Sequence, residues 1–130
     1  MLHSNETTRE KPLILIVDDD SSARRLLQII LERAGYQTQQ AESGEVALEM
    51  ARAGVPDLII LDDVLPGIWG DEVRQHLKAH PDTRDIKVVM HTGQYEKIAQ
   101  YKQSPDLAGV ISKPSMPASL LDTVRLCFEN

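Results

Sequence analysis

Four short apolar segments of the chain are each followed by side chains that could take part in chemistry. Asp18, Asp19 and Asp20 follow the run 13–17, Asp62 and Asp63 follow 58–61, Thr92 follows 86–91, and Lys113 follows 109–112. Carboxylates crowded together repel one another and raise each other's pKa unless a cation joins them. Oxygen ligands that leave room for water suit Mg²⁺, which takes one or two carboxylates and keeps several waters. The residue types therefore indicate a magnesium site beside a hydroxyl and an ammonium group.

The elements that must position these side chains alternate between short strands and amphipathic helices. Strands are predicted over 13–17, 36–41, 58–61, 86–91 and 109–112, and helices over 21–34, 43–54, 94–103 and 117–128, with a further helix that carries Val73 and Leu77. Alternating units of this length predict an α/β fold, in which helices cover both faces of a parallel sheet. Ligands of such sheets bind at the carboxyl ends of the strands. The reactive side chains are therefore expected to converge on one edge.

Composition limits the class of protein. The 130 residues suffice for one domain, and 42% apolar with 26% charged residues is typical of a globular one. A net charge of -6 argues against direct nucleic-acid binding, which needs a basic surface. With one cysteine, no apolar run of membrane-spanning length and no signal-like start, we expect a cytoplasmic protein. Residues 1–12 lack periodicity and are interpreted as a flexible segment before a domain over 13–130.

Several short motifs, taken in order, resemble the receiver domain of two-component response regulators across about residues 12–129. The motifs are Ile16-Val17-Asp18-Asp19, Asp57 to Asp62, Pro66 with Gly67 and Gly70, Thr92-Gly93, and Lys113-Pro114. Each motif by itself is weak evidence for the family, but together they occur at the strand ends and separations that the family shows. The resemblance implies a flavodoxin-like, doubly wound (βα)5 sheet with strand order 2-1-3-4-5.

The resemblance also assigns a phosphorylation site and its metal ligands. Asp62 would accept a phosphoryl group from the phosphohistidine of a histidine kinase or histidine phosphotransfer domain. Asp19 and Asp62 would bind Mg²⁺ directly together with the backbone carbonyl of Val64, and Asp18 would hold it mainly through water. An aspartate nucleophile yields an acyl phosphate that water can later hydrolyse, so the modification is reversible.

Two further residues are implied to act on the phosphoryl group. Lys113 would pair with the phosphoryl oxygens, and Thr92 would donate a hydrogen bond to them. The peptide bond that joins Lys113 to Pro114 would be cis, which costs only about 0.5–1 kcal/mol before proline. This machinery suits phosphoryl transfer, which requires positioning and the neutralisation of charge on the phosphoryl oxygens.

The implied function is that of a phosphorylation-activated signalling switch. No enzymatic output is expected beyond self-phosphorylation from a phosphodonor and autodephosphorylation. A downstream protein target is expected on the face formed by 94–103, 109–112 and 117–128, and the domain is expected to be a monomer or weak dimer. Receiver domains often carry an aromatic switch residue three positions before the lysine, where this chain has Val110. We therefore expect movement of the backbone of 94–103, with Tyr95 or Tyr101 in place of that aromatic.

Other functions fit parts of the pattern. A small Mg²⁺-dependent phosphatase similar to haloacid dehalogenases would use Asp18 as nucleophile and leave Asp62 without a role. The chain could instead be the receiver part of a hybrid histidine kinase or of a larger regulator. A degenerate interaction module is a third possibility, against which the complete reactive set argues. Considered alone, Asp18 and Asp19 could simply cap the following helix.

Some polar and aromatic residues receive no role. Asp63 is expected to point toward solvent, because the residue after the phosphoacceptor is commonly apolar in this family. His76 and His80 share a helix face but lack a third metal ligand. Trp69 either anchors a partner or folds back over its loop.

Overall fold

The fold alternates strands and helices from its first element to its last. A computed structural model describes residues 9–129. The elements are β1 (Leu13–Val17), α1 (Ser21–Arg33), β2 (Gln37–Ala41), α2 (Gly44–Gly54), β3 (Leu58–Asp62), α3 (Gly70–Ala79), β4 (Lys87–Thr92), α4 (Tyr95–Lys102), β5 (Gly109–Ser112) and α5 (Pro117–Phe128). Every predicted strand and helix is present, with ends that move by one or two residues because hydrogen bonding, not side-chain type, sets them.

The sheet has five parallel strands in the order β2-β1-β3-β4-β5. This confirms the predicted α/β class and strand order. All residues of β1 and β3 are buried, as expected for central strands that are covered on both faces. The order reverses between β1 and β3, and such a switch point leaves a crevice at the carboxyl ends of the two strands.

Alternate strand residues pack into two separate apolar layers. Leu15 and Leu61 face the layer that α2, α3 and α4 cover, whereas Ile16 and Ile60 face the layer that α1 and α5 cover. Successive side chains of a strand point to opposite faces, so one strand serves both layers. The same alternation fixes the direction of the polar residues that end each strand.

The end of the predicted N-terminal segment contacts the domain. Arg9 donates a hydrogen bond of 2.6 Å to the carbonyl of Gly54 and forms an ion pair of 3.2 Å with Asp57. Asp57 in turn accepts a 2.8 Å hydrogen bond from the backbone N–H of Leu13, the first residue of β1. Residues 1–8 of that segment lie outside the described part of the chain.

Val55, which ends α2, has a left-handed backbone conformation with φ of 42°. A β-branched residue is strained there, by about 1–2 kcal/mol, whereas glycine is not. Glycine would relieve this strain, but it also has more conformational freedom in the unfolded chain, which offsets part of the gain in stability. We therefore expect Val55→Gly to raise the free energy of unfolding by about 0.5–1 kcal/mol in urea denaturation.

Gly35→Val is the matched control for this prediction, because it introduces the same strain. Gly35 has φ of 101°, and nothing lies within 4 Å of the position that a Cβ would occupy. The control should therefore lower stability through the backbone alone. A lower free energy of unfolding for Val55→Gly would contradict the assigned strain.

Candidate functional site

Three carboxylates meet at the crevice between β1 and β3. Asp18 follows β1 and Asp62 ends β3, and the parallel register that pairs Val17 with Leu61 brings these two strand ends level. Asp19 completes the group, in which one ligand atom from each residue lies within 4.8 Å of the others. Asp18 and Asp62 are buried, while Asp19 is exposed to solvent. The group is therefore buried at Asp18 and Asp62 and accessible to solvent at Asp19.

Lys113 offsets part of the negative charge of the buried pair, Asp18 and Asp62. Its Nζ lies 3.0 Å from Oδ2 of Asp18 and 3.1 Å from Oδ2 of Asp62. The side chain comes from the residue after β5, where the peptide bond to Pro114 is cis. The backbone N–H of Lys113 donates a 2.8 Å hydrogen bond to the carbonyl of Thr92. The ammonium is therefore held between the two strand-end carboxylates.

Burial and charge act in opposite directions on these groups. Burial raises the pKa of Asp62, and the hydrogen bond and charge of Lys113 counter only part of this effect. Burial lowers the pKa of Lys113, but the hydrogen bonds to Asp18 and Asp62 outweigh it and the net shift is upward. A carboxylate whose ionised form is disfavoured gains from an added positive charge. The site is therefore short of positive charge.

The donor set suits a hard divalent cation. Three carboxylates, one of them exposed, offer oxygen ligands on a side that water can reach, which is the arrangement that Mg²⁺ prefers. The backbone of Val64 stays beside the site, because its N–H donates a 3.2 Å hydrogen bond to Oδ1 of Asp62. Asp20 takes no part, since its carboxylate caps α1 by accepting from the N–H groups of Ser22 and Ala23.

The hydroxyl of Thr92 is buried at the end of β4. Its Oγ1 accepts a 2.9 Å hydrogen bond from the backbone N–H of Gln94 and donates one of 2.7 Å to Oδ2 of Asp63. Thr92 thus ends β4, one residue beyond His91, which pairs with Asp62 in the sheet. Its proton, however, is directed to Asp63.

The expectation that Asp63 points toward solvent is wrong. Its side chain is only 1% exposed, and its Oδ2 also accepts hydrogen bonds from Nε2 of Gln94 at 2.9 Å and from Oη of Tyr101 at 3.1 Å. The physical reason is strand alternation, because position 63 falls on the same face as the buried Leu61. That parity was a signal in the sequence from which the burial of Asp63 could have been predicted.

The comparisons with known proteins agree with this geometry. The family model described as response regulator receiver domain matches residues 14–125. The chain belongs to the receiver domain family of response regulators.

Several relatives resemble this receiver domain along most of its length. The phosphate regulon transcriptional regulatory protein PhoB of Escherichia coli is 35% identical over 86% of this chain, which spans about half (49%) of that relative. Chemotaxis protein CheY-3 of Vibrio cholerae is 33% identical over 89% of this chain and 91% of its own length. A high-resolution structure of chemotaxis response regulator CheY4 of Vibrio cholerae superposes with a TM-score of 0.82, at 28% identity, covering 91% of this chain and 99% of that one.

Val110 occupies the position where the resemblance implied a switch aromatic. Val110 is half-buried and packs against the apolar layer under α2, α3 and α4. Of the two tyrosines of α4, Tyr101 is buried, whereas Tyr95 is exposed and its hydroxyl donates to the carbonyl of Lys113 at 3.2 Å. Both tyrosines therefore contact residues next to the site.

The carboxylate group contains neither Trp69 nor any of the three histidines within residues 9–129, His76, His80 and His91. His76 lies 3.7 Å from Glu72, and His80 lies 3.8 Å from Asp82, so the two histidines face different partners. His91 is buried on the opposite face of β4 from Thr92, and burial lowers its pKa to about 4. Trp69 is 53% exposed, with Nζ of Lys97 5.9 Å from its ring centroid. Within residues 9–129, no helix is long and apolar enough to cross a membrane.

Proposed function

We propose that this receiver domain accepts a phosphoryl group on Asp62 from the phosphohistidine of a partner kinase or phosphotransfer domain. The observation that carries the proposal is the contact of 3.1 Å between Asp62 and the Lys113 ammonium, within a carboxylate group that suits a cation. Asp18, Asp19, Asp62 and the carbonyl of Val64 would hold Mg²⁺. Asp62 is the member of this set that ends β3, and it contacts Lys113.

The transfer needs little chemistry from the protein. An oxygen of the Asp62 carboxylate attacks phosphorus, the phosphorus–nitrogen bond of the phosphohistidine breaks, and its electron pair returns to the imidazole. When bound, the cation supplies positive charge to the phosphoryl oxygens. Lys113 supplies a second positive charge from a fixed position, so the site is organised before the transfer begins.

The identity of the modified residue tests this proposal. After incubation with Mg²⁺ and acetyl phosphate, peptide mapping by mass spectrometry should locate the phosphoryl group on Asp62. A group on Asp18 would instead support the haloacid-dehalogenase-like alternative. The match of the receiver domain family model to residues 14–125 disfavours that alternative.

We further propose that a downstream protein reads the phosphorylated state on the face formed by 94–103, 109–112 and 117–128. Two contacts support this choice: the N–H of Gln94 donates to Thr92, and the hydroxyl of Tyr95 donates to the carbonyl of Lys113. Gln94, which precedes α4, and Tyr95, its first residue, therefore each contact a residue of the site. Helix α4 is also short, with Tyr101 as its one buried residue, and weakly packed segments are those that move in switches.

Hydrogen exchange provides the test of this surface. In the presence of Mg²⁺, adding beryllofluoride, a mimic of the phosphoryl group, should change the protection of amides in Tyr95–Lys102. Helix α2, Gly44–Gly54, serves as the internal control and should not change, since it contains none of the residues of the site. Changes that stay confined to the loops around Asp62 and Lys113 would contradict the proposed surface.

A further inference from the structure

The buried carboxylate of Asp63 connects the site to helix α4 through one oxygen. Oδ2 accepts from Oγ1 of Thr92 at 2.7 Å, from Nε2 of Gln94 at 2.9 Å and from Oη of Tyr101 at 3.1 Å. Oδ1 is buried and has no hydrogen-bond partner among the described residues. Asp63 directly follows the proposed phosphoacceptor, so any event at Asp62 occurs one residue away.

The hydroxyl of Thr92 can serve only one acceptor. A threonine hydroxyl carries a single proton, with which it can donate a single hydrogen bond. In this structure that proton lies on the 2.7 Å hydrogen bond to Asp63. To donate to a phosphoryl oxygen on Asp62, Thr92 must first give up a bond to a buried carboxylate, and bonds to charged acceptors are the stronger class.

We propose that Asp63 is a positioning residue that holds the Thr92 hydroxyl in the unphosphorylated state and competes with the phosphoryl group for its proton. This inference rests on the proposed function, because it assumes that the phosphoryl group is carried by Asp62. When Asp62 is phosphorylated, the hydrogen bond that Thr92 donates changes its acceptor from Oδ2 of Asp63 to a phosphoryl oxygen. The proton stays on Oγ1 of Thr92 in both states, so no covalent bond changes in this exchange.

The exchange has a direct consequence for α4. Once Thr92 has turned away, the donors left on Oδ2 are Gln94, which precedes α4, and Tyr101 within it. Tyr101 remains a donor, since burial and the charge of Asp63 raise the pKa of its hydroxyl. The Arg74 guanidinium lies 5.7 Å from the centroid of the Tyr101 ring and pairs with Asp106. Asp63 thus links Thr92 to Tyr101, whose ring also lies against Arg74. Val110 could not form such a link, because its side chain has no polar atom.

The affinity for beryllofluoride in the presence of Mg²⁺ measures this competition. If Thr92 must break its hydrogen bond to Asp63 before it can bind beryllofluoride, the stability of that bond lowers the measured affinity. A variant with a weaker Thr92–Asp63 bond should therefore bind the ligand more tightly. Asp63→Asn keeps the shape of the side chain but replaces a charged acceptor by a neutral one. We therefore expect Asp63→Asn to bind beryllofluoride about fivefold to tenfold more tightly than the wild type, at saturating Mg²⁺.

A double-mutant cycle with Thr92→Ala separates this role from a general electrostatic or structural one. Loss of the Asp63 charge alone would favour the anionic ligand to the same extent whether or not Thr92 is present. If Asp63 acts by holding the hydroxyl, the gain should shrink markedly in the Thr92→Ala background. An equal gain in both backgrounds would overturn the inference.

Asp63→Leu is a second variant for the case that asparagine is poorly tolerated in this buried place. Leucine removes the acceptor entirely and places an apolar side chain on the same buried face of the strand as Leu61, so tighter binding is again expected. If the wild type binds no beryllofluoride at saturating Mg²⁺, the inference and the proposed function fail together. If the wild type binds it and neither Asp63 variant gains affinity, the inference alone fails.

Discussion

Replacing Asp62 by asparagine should abolish phosphorylation of the domain by acetyl phosphate in the presence of Mg²⁺. An amide oxygen is not a usable nucleophile, and the neighbouring carboxylates are poor substitutes. In this variant Asp18 remains the ion-pair partner of Lys113, and Asp19 makes no hydrogen bond to Lys113 that would orient an incoming phosphoryl group. Intact-mass spectrometry of the wild type and Asp62→Asn measures the effect directly.

Asp82→Asn is the matched control for this variant. It makes the same chemical change at a carboxylate whose side chain is 75% exposed and whose ion-pair partner is His80, away from the site. The control should be phosphorylated to the wild-type extent. Asp62→Asn should stay folded, because Lys113 keeps its contact with Asp18, and a thermal melt checks this. An adduct on Asp62→Asn at wild-type yield would refute the assignment of the phosphoacceptor.

The fold could be predicted because its strongest signals are local. The runs of β1 and β3 are aliphatic throughout, and both strands are buried along their whole length. Such runs, separated by amphipathic helices, leave few arrangements other than a parallel sheet covered on both faces. The convergence of Asp18, Asp62 and Lys113 follows from that topology, since parallel strands bring their carboxyl ends to one edge.

The contacts of Asp63 could not be predicted in the same way. Strand parity gives the face on which Asp63 lies, but its partners depend on where α4 packs. That helix has few apolar residues, so the sequence alone does not tell which of Tyr95 and Tyr101 turns inward. The anchoring of Arg9 on Gly54 and Asp57 is similar, because it joins residues more than forty positions apart. Such long-range polar contacts depend on the completed fold.

Replacing Asp19 by asparagine should weaken Mg²⁺ binding by at least about tenfold. A site that offers Mg²⁺ one or two direct carboxylates loses much of its charge and a ligand when one of them becomes an amide. Asp19 is the exposed member of the group, so it is the carboxylate nearest to the side that water reaches. Its replacement leaves the buried pair of Asp18 and Asp62 with Lys113 in place. Loss of affinity would therefore report on ligation and not on a collapsed site.

The fluorescence of Trp69 offers a convenient measurement of this affinity. It is the single tryptophan of the chain, and it lies in the loop between Asp62 and α3. A Mg²⁺ titration that follows Trp69, checked by calorimetry, gives dissociation constants for each variant under the same conditions.

Asp20→Asn is the matched control, because it removes the same charge one residue further along the chain. The Asp20 carboxylate caps α1 through the N–H groups of Ser22 and Ala23, and asparagine caps helices as well as aspartate does. The Mg²⁺ affinity of Asp20→Asn should fall much less than that of Asp19→Asn. The only expected cause is the loss of one negative charge near the site, whose effect is screened by water and salt. Equal losses for the two variants would mean that Asp19 acts only through net charge. An unchanged titration for Asp19→Asn would exclude it as a magnesium ligand.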